Sequence, residues 1–259
     1  MTARSTASRT HFVAERPRLG PALRVVAAGG TALALLALAC AVPGVWEGLF
    51  HTRLYASQPL VALLWQHVVL VAASTTLTLL IAVPLGVYAT RPAGQDFRAP
   101  AGALAALAQV MPPAAVLALA YPFLGFGFTP TLVALVLYGA LPVFAGVTTG
   151  LDTVDRDAMA AAEGLGFTPT QRFWRIEVPL AIGPVIGGLR TTVTTNIGTA
   201  AIGAAIGAGG LGLPIFAGLT SQEPSWILEG AIPAALLALI ADLTLAGLER
   251  ILTPATGSR

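Results

Sequence analysis

Long apolar stretches alternate with short polar ones along this chain of 259 residues. Six of the apolar stretches are long enough to cross the hydrocarbon core of a bilayer as helices. An even number of spans places both chain ends on the same side of the membrane. The pattern predicts an all-α membrane protein of about six transmembrane helices, over residues 22–42, 60–89, 101–125, 129–149, 180–207 and 227–250.

One longer polar segment, Asp152–Pro179, interrupts this pattern between the fourth and fifth predicted spans and is called the island below. Asp155 is a suitable N-cap for a short helix over 156–163, since its carboxylate can accept a hydrogen bond from the first turn. Gly164 and Gly166 are typical of a helix end. The first half of the island is therefore predicted to be a short helix and a tight turn.

A second helix start follows in the island at Thr168. A threonine cap, Pro169 in the first helical position and Gln171 three residues after the cap together indicate a capping box. The helix is predicted to end at Pro179, because proline removes a backbone donor. The island as a whole is expected to fold as two short helices at a membrane surface.

The composition supports a membrane location, with 56% hydrophobic residues, 10% charged residues and a mean hydropathy of +0.80. A net charge of +2 is too small to suggest nucleic acid as a partner. All fourteen basic residues are arginines, so the chain has no lysine for a P-loop or a Schiff base. Cys40 is the only cysteine, which excludes an intrachain disulfide and favours a small buried side chain over a lipoprotein cleavage site. If the protein needs energy from ATP, a partner must supply it.

The arginines lie mostly in alternate loops, which predicts the orientation of the chain. Only Arg53 falls in a loop of the opposite set. We expect a cytoplasmic N-terminal tail over 1–21, a transmembrane domain over 22–250 and a cytoplasmic C-terminal tail over 251–259. The island then lies on the cytoplasmic side. The remaining arginines in the loops and tails or at the ends of the spans are Arg4, Arg9, Arg16, Arg18, Arg24, Arg91, Arg98, Arg156, Arg172, Arg175, Arg250 and Arg259.

The island resembles the EAA loop of bacterial ABC-importer permeases, whose pattern is Glu-Ala-Ala, three residues, Gly, and a hydrophobic-x-hydrophobic-Pro ending. Ile176 and Val178 occupy the hydrophobic positions of that ending, and Ala160 stands where the pattern has glutamate. Glu163 lies three residues later and could replace part of its role. In this family the loop forms a coupling helix that sits in a cleft of the partner ATPase. The resemblance implies an ATPase-coupling set of Ala160, Ala161, Ala162, Glu163, Gly166 and Pro179.

The chain after residue 55 is similar to permeases of the glycine betaine, carnitine and choline (osmoprotectant) subfamily. The stretches TNIGTAAIGAAIGAGGLGLPIFAGL and ILEGAIPAALLALIADLTLAGLER are among those that carry this resemblance. It implies a type I ABC-importer (MetI-like) fold in a bacterial inner membrane and import by alternating access. It also implies a second identical or paralogous permease subunit, a separate extracytoplasmic binding protein and cytoplasmic ATPases that hold ATP and Mg.

Polar side chains inside the predicted spans are further candidates, because a bilayer makes them costly unless they serve a purpose. Arg190 and Asp242 are expected to form a structural ion pair between the fifth and sixth spans. A second set could line the translocation pathway, and helix-to-helix hydrogen bonding is an equally good explanation for most of it. The pathway candidates are Ser74, Tyr121, Thr195, Asn196 and Thr199.

Other functional classes receive less support from the residues. The segment 207–212 satisfies GxGxxG, but it follows an apolar helix rather than a strand, so a bend is expected instead of a dinucleotide site. Three scattered histidines and one cysteine offer neither a metal set nor a catalytic constellation for an intramembrane enzyme. The alternatives that stay open are import of another small zwitterion or amino acid, and transport without an ATPase.

Overall fold

A computed structural model describes residues 19–50, 55 and 58–253, and within them every regular element is a helix. Five of these helical segments are long and apolar enough to cross a membrane. Their cores coincide with five of the six predicted spans. The helices are α1 (Leu19–Ala41), α2 (Pro43–Phe50), α3 (Leu60–Ala89), α4 (Gln95–Val110), α5 (Pro113–Leu124), α6 (Phe128–Asp152), α7 (Arg156–Gly164), α8 (Pro169–Arg172), α9 (Val178–Gly203), α10 (Gly212–Ser221) and α11 (Pro224–Leu252).

The prediction of a single helix over 101–125 is wrong. This segment is divided between α4 and α5, which are separated at Met111 and Pro112. Met111 is extended, with φ -70° and ψ 133°, because the ring of a following proline disfavours the helical conformation of the residue before it. Hydropathy averages over such a break and therefore does not detect it. The described residues thus contain five helices long enough to cross a membrane and one broken helical segment.

Helix α9 occupies the middle of the bundle, where it packs against α3, α6 and α11. Its contact with α6 is close because both helices have glycines at the crossing. A Cβ added at Gly146 would meet the Pro184 carbonyl, and one added at Gly188 would meet the Pro142 carbonyl. Such approach of two backbones is typical of helix packing in membranes, where small residues allow it.

Helix α1 packs along α11 on one flank of the bundle. The helices α3, α6 and α11 run toward the island, and α1 and α9 run away from it. The end of the bundle opposite the island is called the far end below. Loops at that end are joined by hydrogen bonds from Gly127 N to Ile206 O (2.7 Å) and from Gly210 N to Gln66 Oε1 (3.0 Å).

The GxGxxG segment forms the bend between α9 and α10 at the far end. Gly207, Gly209 and Gly210 have φ values of 82°, 79° and 76°, in the left-handed region that glycine adopts most readily. The expected bend is confirmed. The predicted tail residues up to Arg18, the loop residue Arg53 and the C-terminal Arg259 lie outside the described residues.

Candidate functional site

The first island helix, α7, begins as its capping chemistry predicts. The Asp155 carboxylate accepts a hydrogen bond from the Asp157 amide at 2.9 Å, and Asp157 lies in the first turn, where a negative charge suits the helix dipole. The helix ends at Gly164. The prediction of a short helix from Arg156 is confirmed.

The turn after α7 depends on Gly166, whose φ is 80°. The Gly166 amide donates to the Glu163 carbonyl at 2.9 Å and the Phe167 amide to the Ala162 carbonyl at 3.0 Å, which is the pattern of a glycine-terminated helix. A Cβ at Gly166 would meet nothing within 4 Å, so glycine is needed there for its backbone conformation and not for lack of space. The tight turn of the island is confirmed.

The second island helix has the predicted capping box. The Thr168 hydroxyl accepts from the Gln171 amide at 3.3 Å, and the Gln171 side-chain oxygen accepts from the Thr168 amide at 2.9 Å. The predicted helix end at Pro179 is wrong, because α8 continues through a π-helical turn, Phe173–Glu177, directly into α9. A wider turn before Pro179 accommodates a residue that has no N–H and whose ring would crowd the preceding carbonyls of a regular α-helix.

The alanines of α7 are divided between two faces of the helix. Ala162 is buried, at 3% exposure, and fixes α7 against the rest of the island. Ala160 and Ala161 are exposed and give the outer surface of α7 a run of methyl groups. Glu163 is also exposed, and its carboxylate forms an ion pair with Arg172 at 2.8 Å that joins α7 to α8.

Two further ion pairs join the island to the transmembrane helices. The Arg91 guanidinium donates to Glu177 Oε2 at 2.5 Å and lies 5.3 Å from the Phe173 ring centroid. Arg98 at the start of α4 pairs with Asp152 at 2.5 Å, and this hydrogen bond raises the pKa of the Arg98 guanidinium. From the sequence alone, both arginines were recognised only as positive charges in or beside a loop. Which acid each would meet depends on how α3 and α4 pack against α6 and the π-helical turn.

The five pathway candidates occupy two different environments. Asn196 and Ser74 are completely buried, and the Asn196 Nδ2 donates to Ser74 Oγ at 3.2 Å between α9 and α3. Hydrogen bonding between helices was the alternative explanation for these polar residues, and this bond is an example of it. Thr195 and Tyr121 are exposed and Thr199 is half-buried. The two buried residues are therefore hydrogen-bonded to each other. Among the described residues, none of the other three candidates forms a hydrogen bond with either of them.

Exposed polar groups define one face of the bundle between α4, α6 and α9. An open cleft of about 450 Å³ lies there, lined by Gln109, Thr149 and Thr191 among mainly small residues. Thr195 continues the exposed face one turn beyond Thr191 along α9. Elsewhere the long helices expose large apolar side chains, including Trp65, Leu80, Leu104, Val110 and Leu239.

The charged residues of α9 and α11 form a three-membered cluster. Arg190 Nη2 lies 2.9 Å from Asp242 Oδ1, and its Nη1 lies 2.8 Å from Glu249 Oε2. Asp242 and Glu249 are seven residues apart on α11, so both lie on the face toward α9. Sequence reasoning missed Glu249, although this spacing is the signal that could have identified it.

Comparison with known proteins places this arrangement in context. Residues 82–258 match the model of a family described as the binding-protein-dependent transport system inner membrane component. The choline transport system permease protein OpuBB of Bacillus subtilis is 37% identical over 194 residues, which cover 74% of this chain and 87% of that protein. The osmoprotectant import permease protein OsmW of Salmonella typhimurium is 36% identical over 209 residues, or 79% of this chain and 96% of that protein.

A solved structure shares the fold. A chain of the MetNI methionine ABC transporter in an inward-facing conformation aligns with a TM-score of 0.63 and 24% sequence identity, covering 76% of this chain and 99% of the other. At that identity the similarity shows the fold alone. It agrees with the predicted type I importer architecture.

Proposed function

Because the chain belongs to the family of binding-protein-dependent transport system inner membrane components, we propose that this permease subunit imports small quaternary ammonium osmoprotectants of the glycine betaine, choline or carnitine type. The observation that carries the proposal is the 37% identity, over about three-quarters of the chain, to a permease named for choline transport. A relative named for glycine betaine, carnitine and choline is equally similar over 192 residues. The chain performs transport and no covalent chemistry of its own.

A cytoplasmic ABC ATPase is the proposed partner of the island. The exposed methyl groups of Ala160 and Ala161 give α7 a smooth surface that suits a groove on another protein. The ATPase supplies the nucleotide site, with its ATP and Mg, that a chain without lysine does not offer in the usual P-loop form. Glu163 is held by Arg172 within the island, so its proposed role is to set the angle between α7 and α8.

The proposed location is the bacterial inner membrane, with both termini and the island in the cytoplasm. The lopsided distribution of arginines supports this orientation, since cytoplasmic loops carry the excess of positive charge. The island and the loop that contains Arg91 and Arg98 are at the same end of the bundle, where they form ion pairs with each other. Membrane lipid surrounds the remaining apolar faces, and the small net charge offers nothing to nucleic acid.

A second permease subunit, identical or paralogous, is proposed to face the polar cleft. The exposed hydroxyls of Thr149 and Thr195 make no hydrogen bond among the described residues and would be costly against lipid chains, so this face suits a water-filled route between two subunits. A separate extracytoplasmic binding protein delivers the cargo at the far end. ATP binding closes the two ATPases, the islands follow, and the helices around the route alternate between outward-open and inward-open states.

The ATPase proposal is tested by co-purification with the ATPase encoded beside this permease. Ala161→Arg places a long charged side chain on the exposed face of α7 and is expected to abolish recovery of the ATPase. Ser221→Arg is the matched control, because Ser221 is an exposed small residue at the far end. Undiminished recovery with Ala161→Arg and with a deletion of residues 156–166 would reject the docking surface.

The substrate proposal is tested by uptake into vesicles that contain the permease, its ATPase and its binding protein. Saturable, ATP-dependent uptake of choline, glycine betaine or carnitine is expected. Competition experiments with methionine and other amino acids separate the alternatives. Uptake confined to amino acids would reject the osmoprotectant assignment, and uptake without any ATPase would reject the ABC-importer mechanism.

A further inference from the structure

Two proline defects lie next to each other in the transmembrane region. The first is in α6, where Pro142 stands four residues after Tyr138. Since proline has no N–H, the Tyr138 carbonyl cannot accept the hydrogen bond that an α-helix normally supplies from that position. In a bilayer such a carbonyl needs another donor, because no water is present to satisfy it.

The second defect is the break between α4 and α5. The Ala115 and Val116 amides both donate to the Pro112 carbonyl, so the Met111 carbonyl lies outside the hydrogen-bond pattern of α5. Met111 itself is extended and belongs to neither helix. Its carbonyl oxygen therefore also requires a donor from elsewhere.

Each of the two unbonded carbonyls accepts a hydrogen bond from a side chain that lies beside the other defect. The Gln109 Nε2, two residues before the break, donates to the Tyr138 carbonyl at 2.8 Å. The Tyr138 hydroxyl in turn donates to the Met111 carbonyl. Tyr138 is 5% exposed, and both hydrogen bonds are partly buried. Gln109, Met111, Tyr138 and Pro142 are called the clamp below.

Among the described residues, the clamp is one of two places where hydrogen bonds of side chains join α4 to α6. The other is the Arg98–Asp152 ion pair at the island end, eleven residues before Gln109 along α4. With both ends of α4 bonded to α6, the two helices are expected to move as one body. Any displacement of the island that moves α6 then also moves the break at Met111 and Pro112. This break lies beside the polar cleft that Gln109 lines.

We propose that Gln109 and Tyr138 are positioning residues that couple movement of the island to the mid-membrane break between α4 and α5. Without the clamp, α4 and α6 separate at the break while the island still moves. ATP hydrolysis then continues without a matching opening of the route. This inference rests on the proposed transport function, although the clamp itself is a property of the fold.

The chain offers a specific rescue for this test. Gln109→Leu removes the donor to the Tyr138 carbonyl at nearly constant volume. Pro142→Ala restores a backbone N–H four residues after Tyr138 and so makes the lost side-chain donor unnecessary. Pro84→Ala is the matched control, because it removes an exposed proline inside α3 whose partner carbonyl, Leu80, accepts no side-chain hydrogen bond from the described residues.

The measurement is uptake of labelled choline or glycine betaine per ATP hydrolysed, in the reconstituted complex of permease, ATPase and binding protein. Gln109→Leu is expected to lower this ratio by roughly fivefold or more, since an unmade buried hydrogen bond shifts an equilibrium by about that factor. Adding Pro142→Ala should return the ratio toward that of the wild type, and adding Pro84→Ala should not. A wild-type ratio in Gln109→Leu, or an equal loss of hydrolysis and uptake without rescue, would overturn the proposal.

A second readout does not depend on transport. Hydrogen exchange of the α6 amides over 139–146 in the purified permease is expected to quicken in Gln109→Leu and in Tyr138→Phe, and to slow again when Pro142→Ala accompanies Gln109→Leu. Unchanged exchange in both single variants would refute the clamp. If the wild-type complex shows no ATP-dependent uptake, the proposed function fails, and the exchange data still decide whether the clamp exists.

Discussion

Gly166 and Gly164 lie two residues apart in the island but have different requirements. Gly166 has a φ of 80°, whereas Gly164 is the last residue of α7 and is not among the residues with positive φ. A side chain at either position meets nothing within 4 Å. The two glycines therefore separate the effect of backbone conformation from that of space.

We expect Gly166→Ala to destabilise the turn by about 1 kcal/mol, because an L-residue in the left-handed region is strained by that amount. Gly164→Ala should be neutral or slightly stabilising, since alanine favours a helix. Limited proteolysis at the island, compared between the two purified variants, measures the difference. Equal cleavage rates would show that the turn does not depend on the conformation of Gly166.

Arg190 is the only basic residue in contact with both Asp242 and Glu249 in the described part of the chain. Arg190→Met leaves two half-buried carboxylates without a partner, which we expect to cost on the order of 2 kcal/mol, between the values of exposed and buried ion pairs. Arg250→Met is the control, because Arg250 is exposed at the end of α11. Thermal unfolding in detergent compares the two, and combining Arg190→Asp with Asp242→Arg should recover part of the loss.

At the scale of the helix, the island was predictable from sequence because its signals are local. Asp155 and Thr168 cap helices through residues two or three positions away, so no tertiary contact was needed to find them. The end of α8 was not predictable in this way. Pro179 ends a helix by the usual rule, but the π-helical turn before it removes the crowding and lets the helix continue.

Contacts between helices were the part that sequence reasoning could not supply. Asn196 and Ser74 are polar residues in spans, and only the packing of α9 on α3 shows that they bond to each other. The partner of Gln109 was equally hidden, since it is a backbone carbonyl on another helix. Periodicity gives the face of a helix but not the rotation of its neighbour.

The capping box of α8 provides a prediction for a whole element. Thr168→Ala removes the hydroxyl acceptor and is expected to cost the start of α8 about 1 kcal/mol. Thr170→Ala is the matched control, because Thr170 is exposed within α8 and makes no side-chain hydrogen bond among the described residues. Hydrogen exchange at the amides of 170–172 should quicken in the first variant alone. Identical exchange would mean that α9 holds α8 without help from its cap.

At the scale of the whole molecule, one face of the described bundle combines exposed threonines with an open cleft. The face around Thr191 and Thr195 is exposed and polar, whereas Leu243 on α11 and Trp65 on α3 are exposed and apolar. Lipid suits the apolar faces, and a second subunit with a water-filled route suits the polar one. This contrast supports the proposed arrangement, in which two subunits meet at the polar face.

Cysteine cross-linking in membranes tests this arrangement. With Cys40 replaced by serine, Thr195→Cys is expected to form disulfide-linked permease pairs under mild oxidation, because the polar faces of two subunits are proposed to meet. Leu243→Cys is expected to remain monomeric on denaturing gels. Cross-linking through Leu243→Cys and none through Thr195→Cys would place the subunit contact on α11 instead.

The continuity of α8, the π-helical turn and α9 has a mechanical consequence. The combined helical segment Pro169–Ile206 has 38 residues and, at 1.5 Å per residue, is about 57 Å long. It extends from the island to the bend at the far end without a loop that could absorb motion. A straight helix of this length that tilts by about 10° around its centre carries each end roughly 5 Å in opposite directions. In the proposed transport cycle, one small rotation at the island would therefore open one mouth of the route as it closes the other.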